Sequence, residues 1–303
     1  MGSNGQNFSL QVDTGSSDFV RSYPIKGTLV LTVLLQWIAS VSCSSTACAG
    51  SKGRQYDPSV SGISTAEQFS IQYLAGAVSG PIYWDTVQVG GYTIGSQALG
   101  MYLWSSPLPA HFIDASPLTA AAMSVDSEPL EHEFNGILGL ALPLNSLIAH
   151  AITPVTGNGR DGAPFSSNLF GITPASSAPS SRFFSVSLSR PGSSAVPSLL
   201  GIGRHPAQLV PDPSRVTYST VVPQKEGILF WEVEVHAITI YINGSPMAVQ
   251  IDHPRSGNAY PTAVLDTGVP FILTSTNVAN GIYGALGIGP AADGQCKNIH
   301  FRS

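Results

Sequence analysis

Charge is what this chain has least of. Of its 303 residues only 10% are Asp, Glu, Lys or Arg, with 13 basic against 18 acidic side chains and a formal net charge of -5. No Lys/Arg cluster is present to neutralise a phosphate backbone, which argues against nucleic acid as a partner. The acidic balance suits mildly acidic surroundings. Seven histidines are scattered without an HExxH or paired spacing, and three cysteines (Cys43, Cys48, Cys296) stand without metal-ligand spacing, so no metal site is expected. The longest apolar run, Gly27 to Val41, is shorter than the roughly 20 residues of a membrane helix and reads as a buried strand. The opening MGSNGQNFSL has neither the basic start nor the apolar core of a signal peptide.

What the chain does have is 31 Gly and 23 Pro between short Val/Ile/Leu runs, a mix that favours a mostly β protein. Its length suits one large or two medium lobes. Strands are expected at Phe69 to Gly76, Ile82 to Ile94, Arg182 to Ser189 and Trp231 to Gly244. The best short helices are Ser116 to Val125 and Thr274 to Leu286, while 104–133 and 151–181 read as long surface loops. Gly157 to Gly162, GNGRDG, matches a dinucleotide fingerprint, but no strand leads into it and Pro164 follows, so it is read as a loop. Cys43 and Cys48 either close a small disulfide loop or stay free, and Cys296 is left without a partner, which suggests that a partner is missing. An oxidising compartment fits this usage, as do the glycosylation sequons Asn7-Phe8-Ser9 and Asn243-Gly244-Ser245.

The most useful pattern is a weak internal repeat. LQVDTGSSDFV around Asp13 recurs as TAVLDTGVPFIL around Asp266, each with an apolar strand-like approach followed by Asp-Thr-Gly. One Asp-Thr-Gly alone is an ordinary Asx turn as often as not, but two copies after Val/Leu-rich strands suggest one Asp from each of two lobes. Two carboxylates held at one site do not both ionise cheaply, so one keeps its proton while the other acts as base. Such a pair activates water against an amide carbonyl and protonates the leaving nitrogen. The Thr14 and Thr267 hydroxyls are placed to bond backbone across the interface and lock the turns, and Gly15 and Gly268 let backbone approach closely.

With these motifs the chain resembles the pepsin-like aspartic proteases, most of all their secreted fungal members. FSLQVDTGSSDF is similar to the first active-site segment, and WIASVSCSSTAC to the strand and small disulfide loop after it. FSIQYLAGAVSGPIYWDTVQVGG is similar to the flap hairpin, FNGILGLA (Phe134 to Ala141) to the strand-and-turn supporting the first loop, and AVLDTG to the second active-site segment. The resemblance implies a bilobal β fold with an N-terminal lobe at 1–188 and a C-terminal lobe at 189–303. It implies Asp13 and Asp266 as the catalytic dyad, with Thr14, Ser16 and Thr267 supporting it and Ser16 bonding the outer oxygen of Asp13. Tyr73 would be the flap tyrosine and Gly76, Gly15 and Gly268 would contact substrate, while Cys43 and Cys48 would pair. It further implies a polypeptide substrate in a long cleft, acidic pH, no cofactor, a monomer, and an extracellular or vacuolar location. Two distinct Asp-Thr-Gly copies in one chain argue against a homodimer with one Asp per chain.

The pattern breaks in several places. Val20 to Gln36 separates DF from WIAS, which the family joins almost directly. Val codons begin with the GT of a splice donor, Gln can be CAG, and the 17 residues keep frame, so a retained intron is the expectation. If translated, the insert displaces Trp37, which in the family supports the flap tyrosine. The family's leader and first strand are expected before Met1, and roughly the last half of the second lobe, with a partner for Cys296, is expected beyond KNIHFRS. Val269 stands where a Ser or Thr usually follows the second Asp-Thr-Gly, removing one hydrogen bond to Asp266, and Leu74 and Ala75 change the flap tip. The alternative to an active endopeptidase is therefore a pepsin-like scaffold that holds peptide without cleaving it.

Overall fold

In a computed structural model of the chain, the described residues are 5–16, 37–43, 55–73, 76–102, 135–152, 159–189, 195–252, 259–269 and 272–288. The Val20 to Gln36 insert, Leu74 and Ala75, Cys48, Cys296 and the expected helix at Ser116 to Val125 lie outside them.

The N-terminal half is built on six strands: β1 (Leu10–Asp13), β2 (Trp37–Ala39), β3 (Ile63–Tyr73), β4 (Gly76–Val89), β5 (Tyr92–Tyr102) and β6 (Gly136–Gly139). They form one sheet in the order β1-β6-β2-β5-β4-β3. β4 and β5 pair in register up to Val89 and Tyr92 around the two-residue turn Gly90-Gly91, with φ of 58° and 90°. A left-handed pair is what a tight antiparallel hairpin requires, and glycine adopts it without steric cost. The short strand β6 is buried at every residue and lies between β1 and β2, parallel to the first and antiparallel to the second. β1 is the edge strand of the sheet, and β6 pairs with it along its whole length, from Leu10 to Asp13.

Two apolar clusters flank this sheet. Val87, Ile94, Leu99, Leu138, Leu140, Phe165, Leu169 and Ile202 form one, and Ile38, Tyr56 and Met101 form the other, with Phe8, Leu10 and Tyr83 packed on it. Phe165 and Leu169 come from a helix, Phe165–Phe170, inside the stretch expected to be a long loop. One turn of helix places these two side chains, four residues apart, on the same face, and both are buried. Packing decides this element against a local composition rich in Ser, Pro and Gly. Residues 159–164 carry no regular structure, so the fingerprint-like Gly157 to Gly162 opens no helix there.

The C-terminal half contributes two-stranded sheets. β7 (Phe184–Ser187) pairs with β8 (Leu199–Ile202), β9 (Glu232–Glu234) with β12 (Thr262–Val264), and β10 (Ile238–Ile242) with β11 (Ser245–Val249). The expected boundary at 188/189 falls between β7 and β8, which pair with each other and pack Ile202 and Phe184 on the N-terminal core. The strand expected over Trp231 to Gly244 is two strands, broken at residues 235–237. The expected C-terminal helix is present as Thr276–Ala285, capped by Ser275, whose hydroxyl accepts from the Val278 amide. Among the described residues no helix is long and apolar enough to cross a membrane, and no group of three or more His, Cys, Asp or Glu could hold a metal ion.

Candidate active site

β1 ends at Asp13, which is fully buried and aligned with Gly139 of β6. Beyond it the chain turns, and the turn is held from β6: the Leu140 amide donates to the Asp13 carbonyl at 2.7 Å and the Ala141 amide to the Ser16 carbonyl at 2.5 Å. A side chain at 139 would crowd the Ser16 carbonyl, which explains glycine in FNGILGLA. β12 similarly leads into Asp266, and the Leu265 amide donates to the Trp231 carbonyl at 3.0 Å.

The two turns are near copies. The Gly15 amide donates to Asp13 Oδ1 at 2.9 Å and the Gly268 amide to Asp266 Oδ1 at 2.8 Å. Between them run four reciprocal bonds. The Thr14 amide donates to Thr267 Oγ1 at 3.1 Å and the Thr267 amide to Thr14 Oγ1 at 3.0 Å. The Thr14 hydroxyl donates to the Leu265 carbonyl at 2.8 Å and the Thr267 hydroxyl to the Val12 carbonyl at 2.7 Å. Each hydroxyl thus acts as donor and acceptor at once. A Cβ at Gly15 would overlap the Asp266 carboxyl, and one at Gly268 would overlap that of Asp13. Each carboxyl therefore lies against the opposite turn's glycine.

With both Oδ1 atoms committed to amides, Asp13 Oδ2 and Asp266 Oδ2 are buried, and neither accepts from an amide or hydroxyl of the chain. Burial pushes the Asp13 carboxyl up from 3.8 to about 8, helped by the charge of Asp266 and by a hydrogen bond shared with it, while the Gly15 amide and the Ser16 hydroxyl pull the other way. Ser16 is buried, and its hydroxyl donates to the main-chain carbonyl of Asp13 at 3.4 Å while lying near enough to the carboxyl to favour its charged form. A buried carboxyl that keeps its proton is able to act as an acid.

Tyr73 ends β3 and pairs with Gly76, the first residue of β4, so both expected flap residues lie at the tip of one hairpin. The ring of Tyr73 is outside the described features, as is that of Trp37 in β2. Cys43 is described and Cys48 is not. Residues that sequence patterns did not single out also hold this region. Trp231 Nε1 donates to the Leu140 carbonyl at 2.9 Å. Buried Asp85 accepts from the Tyr56 hydroxyl at 2.5 Å and the Ser61 hydroxyl at 2.9 Å, which ties residues 56–61 to β4; burial, and after it the Asp85 carboxylate, drives the Tyr56 hydroxyl's pKa upward. The only sequence cue to either would have been a polar or indole group inside a strand.

The eukaryotic aspartyl protease family model matches residues 1–299. Pepsin A of Sus scrofa is 28% identical over 305 residues, which covers 99% of this chain and 60% of that relative. Pepsin A of Bos taurus is 31% identical over 172 residues, 57% of this chain and 36% of the relative. The crystal structure of the aspartic proteinase from Irpex lacteus superposes with a TM-score of 0.53 at 18% identity, covering 94% of this chain and 63% of that one, a likeness of fold. The chain thus spans at most about 60% of the length of these pepsin relatives.

Proposed function

Because the chain belongs to the eukaryotic aspartyl protease family, we propose that it is an aspartic endopeptidase that hydrolyses polypeptides through Asp13 and Asp266. The observation that supports the reading is the crossed Thr14/Thr267 pair, together with two buried carboxylate oxygens that accept from no amide or hydroxyl. In this reading the pair holds a single proton, kept mainly on Asp13 by its burial. Asp266 takes a proton from water as the oxygen adds to the scissile carbonyl carbon, and Asp13 gives its proton to the carbonyl oxygen. Collapse of the tetrahedral intermediate breaks the C–N bond as Asp266 gives its proton to the leaving nitrogen, and a hydroxyl of the intermediate returns its proton to Asp13 as the carbonyl re-forms, so the pair is left with one proton again.

Gly15, Gly268, Gly76 and Tyr73 are assigned to the substrate cleft. The two-lobe division at 188/189, a monomeric state, acidic working pH and an extracellular or vacuolar location belong to the same proposal, as does a Cys43–Cys48 disulfide. Asn7 and Asn243 are both exposed, which supports glycan attachment at their sequons. A second reading, a scaffold that holds peptide without cutting it, is motivated by the 17-residue insert Val20 to Gln36, which interrupts the segment following the first Asp-Thr-Gly.

One experiment separates the two. The purified chain is incubated with denatured haemoglobin at acidic pH, with and without a statine-type transition-state analogue. Inhibitor-sensitive cleavage that disappears in Asp13→Asn is expected; folded protein that binds the inhibitor and leaves the substrate intact would establish the scaffold instead.

A further inference from the structure

The two Asp turns are joined a second time, through residues that the Asp-Thr-Gly symmetry does not involve. Leu140 leaves β6 with its amide bonded to the Asp13 carbonyl at 2.7 Å. Its own carbonyl accepts from the Trp231 indole at 2.9 Å, a bond spanning 91 residues of sequence. The Trp231 carbonyl in turn accepts from the Leu265 amide at 3.0 Å, one residue before Asp266. We propose that Trp231 is a positioning residue, a strut that ties the entry to the Asp13 turn to the entry to the Asp266 turn and so fixes the separation of the two carboxyls.

Three features carry this. The path is unbroken: Asp13 carbonyl, Leu140 amide, Leu140 carbonyl, indole N–H, Trp231 carbonyl, Leu265 amide. Leu140 is wholly buried and Trp231 half-buried, so loss of the indole donor would leave a carbonyl with reduced access to water, the expensive way to lose a hydrogen bond. The approach to Trp231 is also seated against the same region. Gly227, at a φ of 120°, lies so close to Leu144 that a Cβ there would crowd it, and Leu144 belongs to the short 3-10 turn Pro143–Asn145 just after Leu140. Gln224 closes that approach by bonding the buried Glu232 carboxylate beside Trp231. The Thr14/Thr267 crossing fixes the tips of the two turns, whereas the Trp231 strut fixes the strands that enter them.

The consequence for turnover rests on the endopeptidase reading; the strut itself does not. Trp231→Phe removes the donor and keeps an aromatic ring, and benzothienylalanine at 231 removes it while keeping the bicyclic shape. Amide exchange is followed at Leu140 and Leu265, with the β4–β5 hairpin as reference, together with kcat and KM on a peptide substrate. The expected result is exchange about tenfold faster at both Leu140 and Leu265, on opposite sides of the crossing, with an unchanged hairpin and a kcat lowered about tenfold at a KM within about twofold of the original. Faster exchange at Leu265 alone, or an unchanged kcat with a raised KM, would overturn the proposal. Should Trp231→Phe not fold, the benzothienylalanine protein decides by the same measurements. If the unaltered chain does not cleave peptide, the endopeptidase reading fails while the two exchange rates still judge the strut.

Discussion

Thr14 and Thr267 each accept at the hydroxyl from the other's main-chain amide, at 3.1 and 3.0 Å, and each donates its own hydroxyl to a carbonyl on the far side. Two short turns, distant in sequence, are thereby made into one rigid unit. Thr14→Val keeps the shape of the side chain and deletes one donor and one acceptor from this crossing. It is expected to lower stability by about 2–3 kcal/mol, because it also leaves the Thr267 amide and the Leu265 carbonyl short of a partner. Chemical denaturation of Thr14→Val, Thr267→Val and the double variant checks this, and strong non-additivity is expected because both residues serve the same crossing.

Gly15 lies directly against the Asp266 carboxyl. Gly15→Ala is expected to displace that carboxyl and to lower kcat/KM by about 100-fold or more, since small misplacements of reacting groups are costly. The fold should persist, because the clash falls on a side chain and not on the sheet. Steady-state kinetics together with circular dichroism tests both halves of this statement, and full activity in Gly15→Ala would remove the carboxyls from the reaction.

The Asp13 carboxyl also sets a pH dependence of stability. Its folded value, about 8, lies above its ordinary 3.8, so between those values the native state holds a proton that the unfolded chain gives up. The resulting stability is fully present below the ordinary value and is lost as pH rises through about 8. Unfolding midpoints measured from acid to mildly alkaline pH should therefore decline across this window, and Asp13→Asn should flatten the decline. An equal decline in the variant would place its cause elsewhere.

Ser16 has no hydroxyl counterpart at Val269, the matching position after the second Asp-Thr-Gly. On the first turn the Ser16 hydroxyl favours the charged form of Asp13. Val269→Ser is expected to do the same for Asp266, which carries the charge in the proposed singly protonated pair, and so to move the acidic limb of the pH–rate profile to lower pH. An unmoved limb would show that the introduced hydroxyl does not reach the carboxyl.

The pair Asp13 and Asp266 was legible in the sequence because the repeat is local: a strand approach, an acid, a hydroxyl and a glycine, written twice. FNGILGLA could be placed as well, because its glycine answers a steric demand of the turn that it backs. What sequence patterns could not reveal were bonds whose two ends carry no common motif. The Trp231 indole and the Leu140 carbonyl meet only in three dimensions, and a backbone carbonyl has no residue signature. The helix Phe165–Phe170 was hidden for a related reason: a stretch rich in Ser, Pro and Gly disguised two apolar side chains four apart, and only the core they enter makes the turn worthwhile. The break between β9 and β10 fell inside one continuous β-like run, where periodicity alone carries no stop signal.

The central claim is that Asp13 and Asp266 act as a single acid–base unit, and a titration of the aspartate carboxyl carbons by NMR tests it most directly. One carboxyl should retain its proton well above the ordinary 3.8, with Asp13 titrating at about 8, and this late step should move to lower pH in Asp266→Asn while burial keeps it above the ordinary value. If instead both carboxyls lose their protons independently near 3.8, and Asp266→Asn leaves the Asp13 titration unchanged, the two groups do not share a proton and the proposed chemistry is wrong.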